Sequence, residues 1–409
     1  MKWAEGLDKL GIFLYLAISV FAVVNIYSVD KGLGEKQLIF FFISLFVGFI
    51  IFMMRSKFFE NFAVVFFVLG IISLLGLHVL GSEIKGQKNW YKIGGFTMQP
   101  VEFAKIGVSL MLASYVSGPD FNLNNRKSLL TTLAIIGIPA IAVLSIPDVG
   151  SLLVFTAFVI ALYREGLSGW LFGIGFILAT VFLLSIAINP IYIVLGLLAI
   201  YLIYIFLNFG RIIWTVPTIV TFLGTFLILA GISFGTPKIL EKLPAHQRER
   251  IEVLYKGEKA FRDTSGYNLL YSKTAIGSGG FWGKGYKEGS VTQGKFVPEQ
   301  ETDYIFCTVG EEWGFLGSTL LVIFYAVYIG RIYYLAENQK TTFNRVFGYC
   351  FAGVLLMHFA INLGMVMGLF PTVGIPLPYF SYGGSSFLAF SIMTAIFFKL
   401  NYTDKNSLV

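Results

Sequence analysis

The sequence predicts an all-α polytopic membrane protein: one bundle of about twelve transmembrane helices with a large extracytoplasmic loop. Three observations carry this expectation. Hydrophobic residues make up 56% of the 409 positions and charged residues 13%, with 42 Phe, against roughly 45–50% and about 25% in soluble domains. Apolar runs recur from Leu10 to Leu400, and a single stretch between Gly235 and Asp303 is both long and polar.

With about 20 apolar residues needed per span, helices are expected near Leu10–Ser28, Leu38–Met54, Phe62–Leu80, Phe103–Val116, Leu129–Ile146 and Leu152–Tyr163. Three more follow at Trp170–Ile188, Ile191–Leu207 and Ile212–Phe234, then Tyr304–Tyr328, Val346–Leu369 and Ser385–Leu400 beyond the polar loop. When loops are assigned to alternate sides, one side collects basic residues from Lys2 and Arg55 through Arg164 and Arg331 to Lys405, while the shortest loops of the other side carry none. The positive-inside rule then places both termini in the cytoplasm and the 235–303 loop outside. The formal charge of +7 is spread over these loops, which fits anionic lipid and argues against nucleic acid. Cys307 and Cys350 fall inside apolar runs, away from the loops where extracellular disulfides form.

Three outward segments are unusual. Ser82–Glu102 mixes Lys, Trp, Gly and Gln and reads as an irregular or re-entrant loop. Phe370–Gly384 is apolar yet holds three prolines at Pro371, Pro376 and Pro378, so it does not continue a helix. The 235–303 loop ends in Glu299, Glu301 and Asp303 at the edge of an apolar run. Ionisable groups are costly near hydrocarbon, so this cluster is a functional-site candidate. Thr302 is a plausible N-cap for a helix starting at Tyr304, with Asp303 favoured in its first turn by the helix dipole, a purely structural alternative for one carboxylate that explains three less well.

Other polar residues have similar double meanings. Glu102 and Lys105 are spaced to pair on one helix face, either structurally or as part of an anion site. Asp148 reads as a helix cap, Glu311 and Glu312 as interior packing, and His358 as a satisfied core histidine. Gly277–Gly280 and Gly283–Gly285 resemble a phosphate cradle only superficially, since no strand precedes them. Arg248 and Arg250 are compatible with a solvated amphipathic face.

Taken in order, these segments resemble the SEDS family of shape, elongation, division and sporulation proteins, and most of all its RodA branch. The matching residues are Gly86-x-x-x-Trp90-x-x-x-Gly94, Gln99-Pro100-x-Glu102-x-x-Lys105, Pro147-Asp148-x-Gly150 and Gln247-Arg248-x-Arg250-Ile251. They continue through Ser272-Lys273, Pro298-Glu299-x-x-Thr302-Asp303, Asn362-Leu-Gly-Met365 and Gly374-Ile-Pro-Leu-Pro378 to Ser381-Tyr382-Gly-Gly-Ser-Ser386. Val101 stands where the family usually has Ser, Ile146 and Tyr271 where it has Gln, and Tyr304 where it has Phe. Members typically have about ten helices, so 170–234 reads as a two-helix insertion, which preserves the sidedness of everything after it.

The resemblance implies a peptidoglycan glycosyltransferase of the bacterial cytoplasmic membrane that polymerises lipid II during elongation, with Asp303 as general base. It further implies a substrate cavity shaped by Trp90, Gln99, Glu102, Asp148, Ser272, Glu299, Thr302, Asn362, Ser381 and Tyr382, with Lys105, Arg248 and Lys273 near the lipid diphosphate. A class B penicillin-binding protein is the implied partner, undecaprenyl-diphosphate-linked glycan the growing chain, and a divalent cation (Mg or Mn) at the diphosphate a possible cofactor, although no cluster has dedicated metal-ligand spacing. A division-type polymerase, a lipid II flippase and a non-catalytic scaffold are the alternatives. The flippase fits less well, because transporter sites lie near mid-bilayer and often between inverted repeats, whereas the unusual loops here share one face.

Overall fold

A computed structural model describes residues 6–84, 87–94, 96–146, 148–243 and 245–406. Gly86 and Pro147 of the motifs above lie outside these ranges. The chain begins with α1 (Lys9–Val29), α2 (Lys31–Met53), α3 (Ser56–Asn61) and α4 (Ala63–Leu80), then β1 (Ser82–Ile84), β2 (Gln87–Ile93) and β3 (Phe96–Met98). Next come α5 (Pro100–Val116), α6 (Arg126–Leu144), α7 (Val149–Val154), α8 (Ala157–Arg164), α9 (Trp170–Ala187), α10 (Pro190–Asn208) and α11 (Val216–Lys242). Short helices α12 (Ala245–Lys256), α13 (Tyr267–Ser278) and α14 (Ser290–Gln293) precede α15 (Ile305–Glu312), α16 (Gly314–Glu337), α17 (Thr342–Val366) and α18 (Gly384–Asn406).

Among the described residues ten helices are long and apolar enough to cross a membrane. The expected segments at 103–116 and 152–163 correspond to α5, of 17 residues, and to the broken pair α7–α8. The protein is therefore a helical, multi-pass membrane protein.

Several expectations are corrected. The expected irregular loop contains strands: β1, β2 and β3 form an antiparallel sheet with Ser82 opposite Trp90 and Tyr91 opposite Met98, and the register shifts between Ser82 and Ile84. The Tyr91 hydroxyl donates to Ser73 O (2.7 Å), which ties the sheet to α4. The polar loop does not begin at Gly235, because α11 runs on through Pro237 to Lys242, and the loop itself folds into α12–α14. The expected helix at 304–328 is broken at Trp313. Gly314 there has φ +65°, a backbone that L side chains rarely adopt, and its neighbours pack closely enough that a Cβ would sit 2.2 Å from Gly283 N.

The chain divides into two compact units, 1–167 with 268–409, and 168–267. The second contains α9, α10 and α11, which pack on one another. In the first, α17 and α18 are the most buried spans. Asp8, just before α1, takes a bidentate bond from Arg331 near the end of α16, and Asp404 in α18 accepts from Lys340 N (3.0 Å). Asp8 and Asp404 are thus both tied to the α16–α17 region. At the other end of α1, Ser28 Oγ donates to Glu312 of α15 (2.6 Å), so the Asp303 turn belongs to the opposite face.

Candidate active site

The Glu299–Asp303 turn is built by one left-handed residue. Glu299 has φ +62°, uncommon for a non-glycine residue, and its carbonyl accepts from both Thr302 N (3.1 Å) and Tyr304 N (3.2 Å). Thr302 Oγ1 also reaches the Glu299 carboxylate (3.2 Å). Thr302 is therefore not the N-cap of the following helix: that position is Tyr304, without a side-chain cap bond. The Thr302 hydroxyl works backwards into the turn instead.

Three successive carbonyls of this turn are gripped from outside it. Tyr382 N donates to Glu301 O (2.8 Å), Ser381 Oγ to Thr302 O (2.6 Å), and Asn362 Nδ2 to Asp303 O (2.8 Å). The grip comes from α17 and the Phe370–Gly384 segment, whose own path is held by Leu377 N donating to Ser381 Oγ (2.8 Å) and by Asn362 Nδ2 donating to Ile375 O (2.7 Å). Tyr304 adds another tie, since its hydroxyl donates to Thr372 Oγ1 (3.2 Å). Asp303 itself is half-buried. Gly374 faces it with φ +73°, which strains any L side chain, and a Cβ there would crowd Asp303 Oδ2 at 3.2 Å.

A second cluster lies at the N-terminal end of α5. Lys105 Nζ is 2.8 Å from Glu102 Oε2, with both side chains almost wholly buried, and 2.6 Å from His358 Nε2. Both nitrogens of His358 are engaged, because Nδ1 meets Pro376 O at 3.1 Å. Gln99 donates to Asp148 Oδ2 at 3.5 Å. Asp148 caps α7, accepting from Ser151 N (2.9 Å) and Ser151 Oγ (2.8 Å). Burial pushes the Asp148 carboxyl above its ordinary range, against the opposing pull of the Ser151 bonds and the Lys105 charge.

Glu311 and Glu312 are buried, as expected, but they are a hub and not filling. Glu311 accepts from Lys284 Nζ (2.7 Å), Val291 N (2.9 Å), Thr292 N (2.7 Å) and Thr292 Oγ1 (2.7 Å). Glu312 accepts from Ser28 Oγ and Gln293 Nε2 (3.2 Å). The two carboxylates pin the loop around α14 to the bundle just beyond the turn. The sequence signal for such a role was their ionisable character inside an apolar run.

Of the residues singled out from sequence, the turn unites Glu299, Thr302, Asp303, Asn362, Ser381 and Tyr382, while Gln99, Glu102, Lys105 and Asp148 form the neighbouring cluster. Ser272 is buried in α13 with its hydroxyl on Val366 O (3.3 Å), and Lys273 beside it is exposed. Trp90 sits half-buried on β2. Arg248 belongs to the second unit, on α12, with Glu252 Oε1 at 3.7 Å.

A family model described as "Cell cycle protein" (FtsW/RodA/SpoVE) matches residues 3–195 and 182–406. The chain is 29% identical to the peptidoglycan glycosyltransferase MrdB of Escherichia coli over 386 residues, 93% of this chain and 90% of MrdB. It is 30% identical to the probable peptidoglycan glycosyltransferase FtsW of Buchnera aphidicola over 404 residues, 97% of this chain and 86% of that protein. Among solved structures, a chain of a peptidoglycan synthase complex that coordinates polymerization and crosslinking superposes with TM-score 0.70 at 23% identity, covering 97% and 98% of the two chains. The rod shape determining protein RodA of Thermus thermophilus gives 0.62 at 22%, covering 99% of each. At such identities these two likenesses establish the fold.

Proposed function

Because the chain belongs to the FtsW/RodA/SpoVE cell cycle protein family, we propose that it is a peptidoglycan glycosyltransferase of the elongation type. It polymerises lipid II on the outer face of the bacterial cytoplasmic membrane, with Asp303 as general base. The single observation that carries this is the grip on Glu301 O, Thr302 O and Asp303 O, which fixes the backbone that carries one half-buried carboxylate. General-base catalysis needs that fixity, since proton transfer depends on hydrogen-bond reach in the reacting complex.

The chemistry asks for little else. The GlcNAc 4-hydroxyl of one substrate attacks the anomeric carbon of MurNAc in the other, with inversion. The C1–O bond to undecaprenyl diphosphate breaks, and Asp303 takes the hydroxyl proton. The diphosphate leaves as an anion, so no acid is required, and cations stabilise the developing charge. One carboxylate therefore suffices, unlike the pair used by most glycoside hydrolases. Lys273, exposed on α13, is the proposed diphosphate contact. Lys105 is already engaged by Glu102 and His358 and supports the cavity wall. The described residues contain no group of three or more His, Cys, Asp or Glu side chains arranged to hold a metal, so a divalent cation would be held chiefly by the diphosphate.

The sidedness follows from the basic loops: both termini and the α16–α17 connection lie in the cytoplasm, and the Asp303 turn lies outside. The proposed partner is a class B penicillin-binding protein, which crosslinks the strands made here. The test is polymerisation of purified lipid II by the protein with such a partner. Wild type makes glycan strands, and Asp303→Asn makes them at least about 100-fold more slowly. Strands produced equally by both proteins, or by neither, overturn the proposal.

A further inference from the structure

His358 lies inside α17, a full turn from Asn362, so the two project from one face of the helix. Each holds a carbonyl of the same segment: His358 meets Pro376 O and Asn362 donates to Ile375 O. Asn362 also donates to Asp303 O. On its other side His358 meets Lys105, which pairs with Glu102.

Donor counting assigns the ring. An ammonium beside a carboxylate has only protons to give, so His358 Nε2 accepts from Lys105. The ring proton is then on Nδ1, where it donates to Pro376 O, an acceptor with no alternative role. The ring is further locked edge-on to Phe390, centroids 4.9 Å apart. Phe390 also lies under the Lys105 ammonium at 5.3 Å. Every polar atom of His358 is thus spent on joining α5 to the Pro/Gly-rich segment, two residues from Gly374, where a Cβ would lie 3.2 Å from the Asp303 carboxylate.

We infer that His358 is a positioning residue: it links the buried Glu102–Lys105 pair to the Ile375–Pro376 backbone, so that the ion pair on α5 and the backbone that carries Asp303 are joined by one continuous chain of bonds. This rests on the reading of Asp303 as the base. The chain runs Glu102, Lys105, His358, Pro376, Ile375, Asn362, Asp303, and spans α5, α17, the Pro/Gly-rich segment and the catalytic turn. His358 does not touch substrate. It determines whether Gly374 stays beside the Asp303 carboxylate, where a Cβ would lie 3.2 Å from Oδ2.

The experiment compares three variants in the lipid II assay. His358→Gln keeps both functions, its amide oxygen accepting from Lys105 and its amide nitrogen donating to Pro376 O. His358→Glu keeps the Lys105 contact but has no proton for Pro376. His358→Phe keeps the ring volume and loses both bonds. Wild-type turnover is expected to survive within about threefold in the Gln variant. It is expected to fall about 100-fold in both the Glu and Phe variants, the cost of an ångström-scale misplacement, with KM for lipid II little changed. Hydrogen exchange, read in the same samples without substrate, should rise at residues 374–377 and 299–304 in the Glu and Phe variants alone. Should the Phe variant not fold, the Glu and Gln variants still decide. A Glu or Phe variant as active as wild type overturns the inference, as does a Gln variant as impaired as the other two. Inactive wild type with the exchange pattern present would instead count against the assigned reaction.

Discussion

Helices α10 and α17 would be ranked the wrong way round by hydrophobicity alone. α10 is the more apolar of the two, yet 6% of its most apolar window is buried, against 72% for α17. In water the greasier helix would be the inner one. In a bilayer lipid is as apolar as leucine, so apolar surface gains nothing by facing protein, and polar side chains face inward where partners exist. α17 carries Asn344, His358 and Asn362, all buried, and Asn362 reaches the Asp303 turn. Polar residues inside spans, not apolar ones, mark the working core of this protein.

Three substitutions sharpen that contrast. The largest effect on stability is expected for Glu311→Gln: one oxygen that serves backbone donors becomes a donor itself, and Lys284 loses its counter-charge. Glu311 is buried while Lys284 is half-exposed, so the loss is expected at about 2 kcal/mol, below that of a fully buried pair, to be seen as a lower unfolding midpoint in detergent. Asn362→Leu comes next. It keeps volume while removing the donor shared by Asp303 O and Ile375 O, so polymerisation should slow about 100-fold, equivalent to about 2.7 kcal/mol, with a smaller loss of stability. The smallest is Leu198→Ala on the exposed face of α10, where stability should change by no more than about 0.5 kcal/mol and activity should hold. A large effect at Leu198, or none at Asn362, breaks the comparison.

Much of the bundle was legible because spans announce themselves by length and apolarity. The break between α15 and α16 was not: it follows from Gly314 and the close approach of Gly283, a contact between residues about thirty positions apart in the chain. The sheet at Ser82–Met98 was missed because two of its strands are only three residues long, too short for an alternating pattern to stand out in the sequence. In the site, Asp303 and its motif neighbours were visible as a pattern, but their division of labour was not. Thr302 looked like a cap until the left-handed Glu299 turned it backwards. Ser381 and Tyr382 looked like substrate contacts, and in the structure they bond the backbone of the turn.

By itself the sequence determined that this chain lives in a membrane, where most of its long apolar helices fall, and which carboxylate ends the polar loop. Those properties are local, set by the cost of moving each segment or charge into hydrocarbon. Only the tertiary structure decided what holds that carboxylate. Hydrogen bonds from Asn362, Ser381 and Tyr382 to three adjacent carbonyls, and the Glu102–Lys105–His358 chain behind them, join residues distant in sequence. They depend on ångström distances and donor directions, which composition and spacing do not contain.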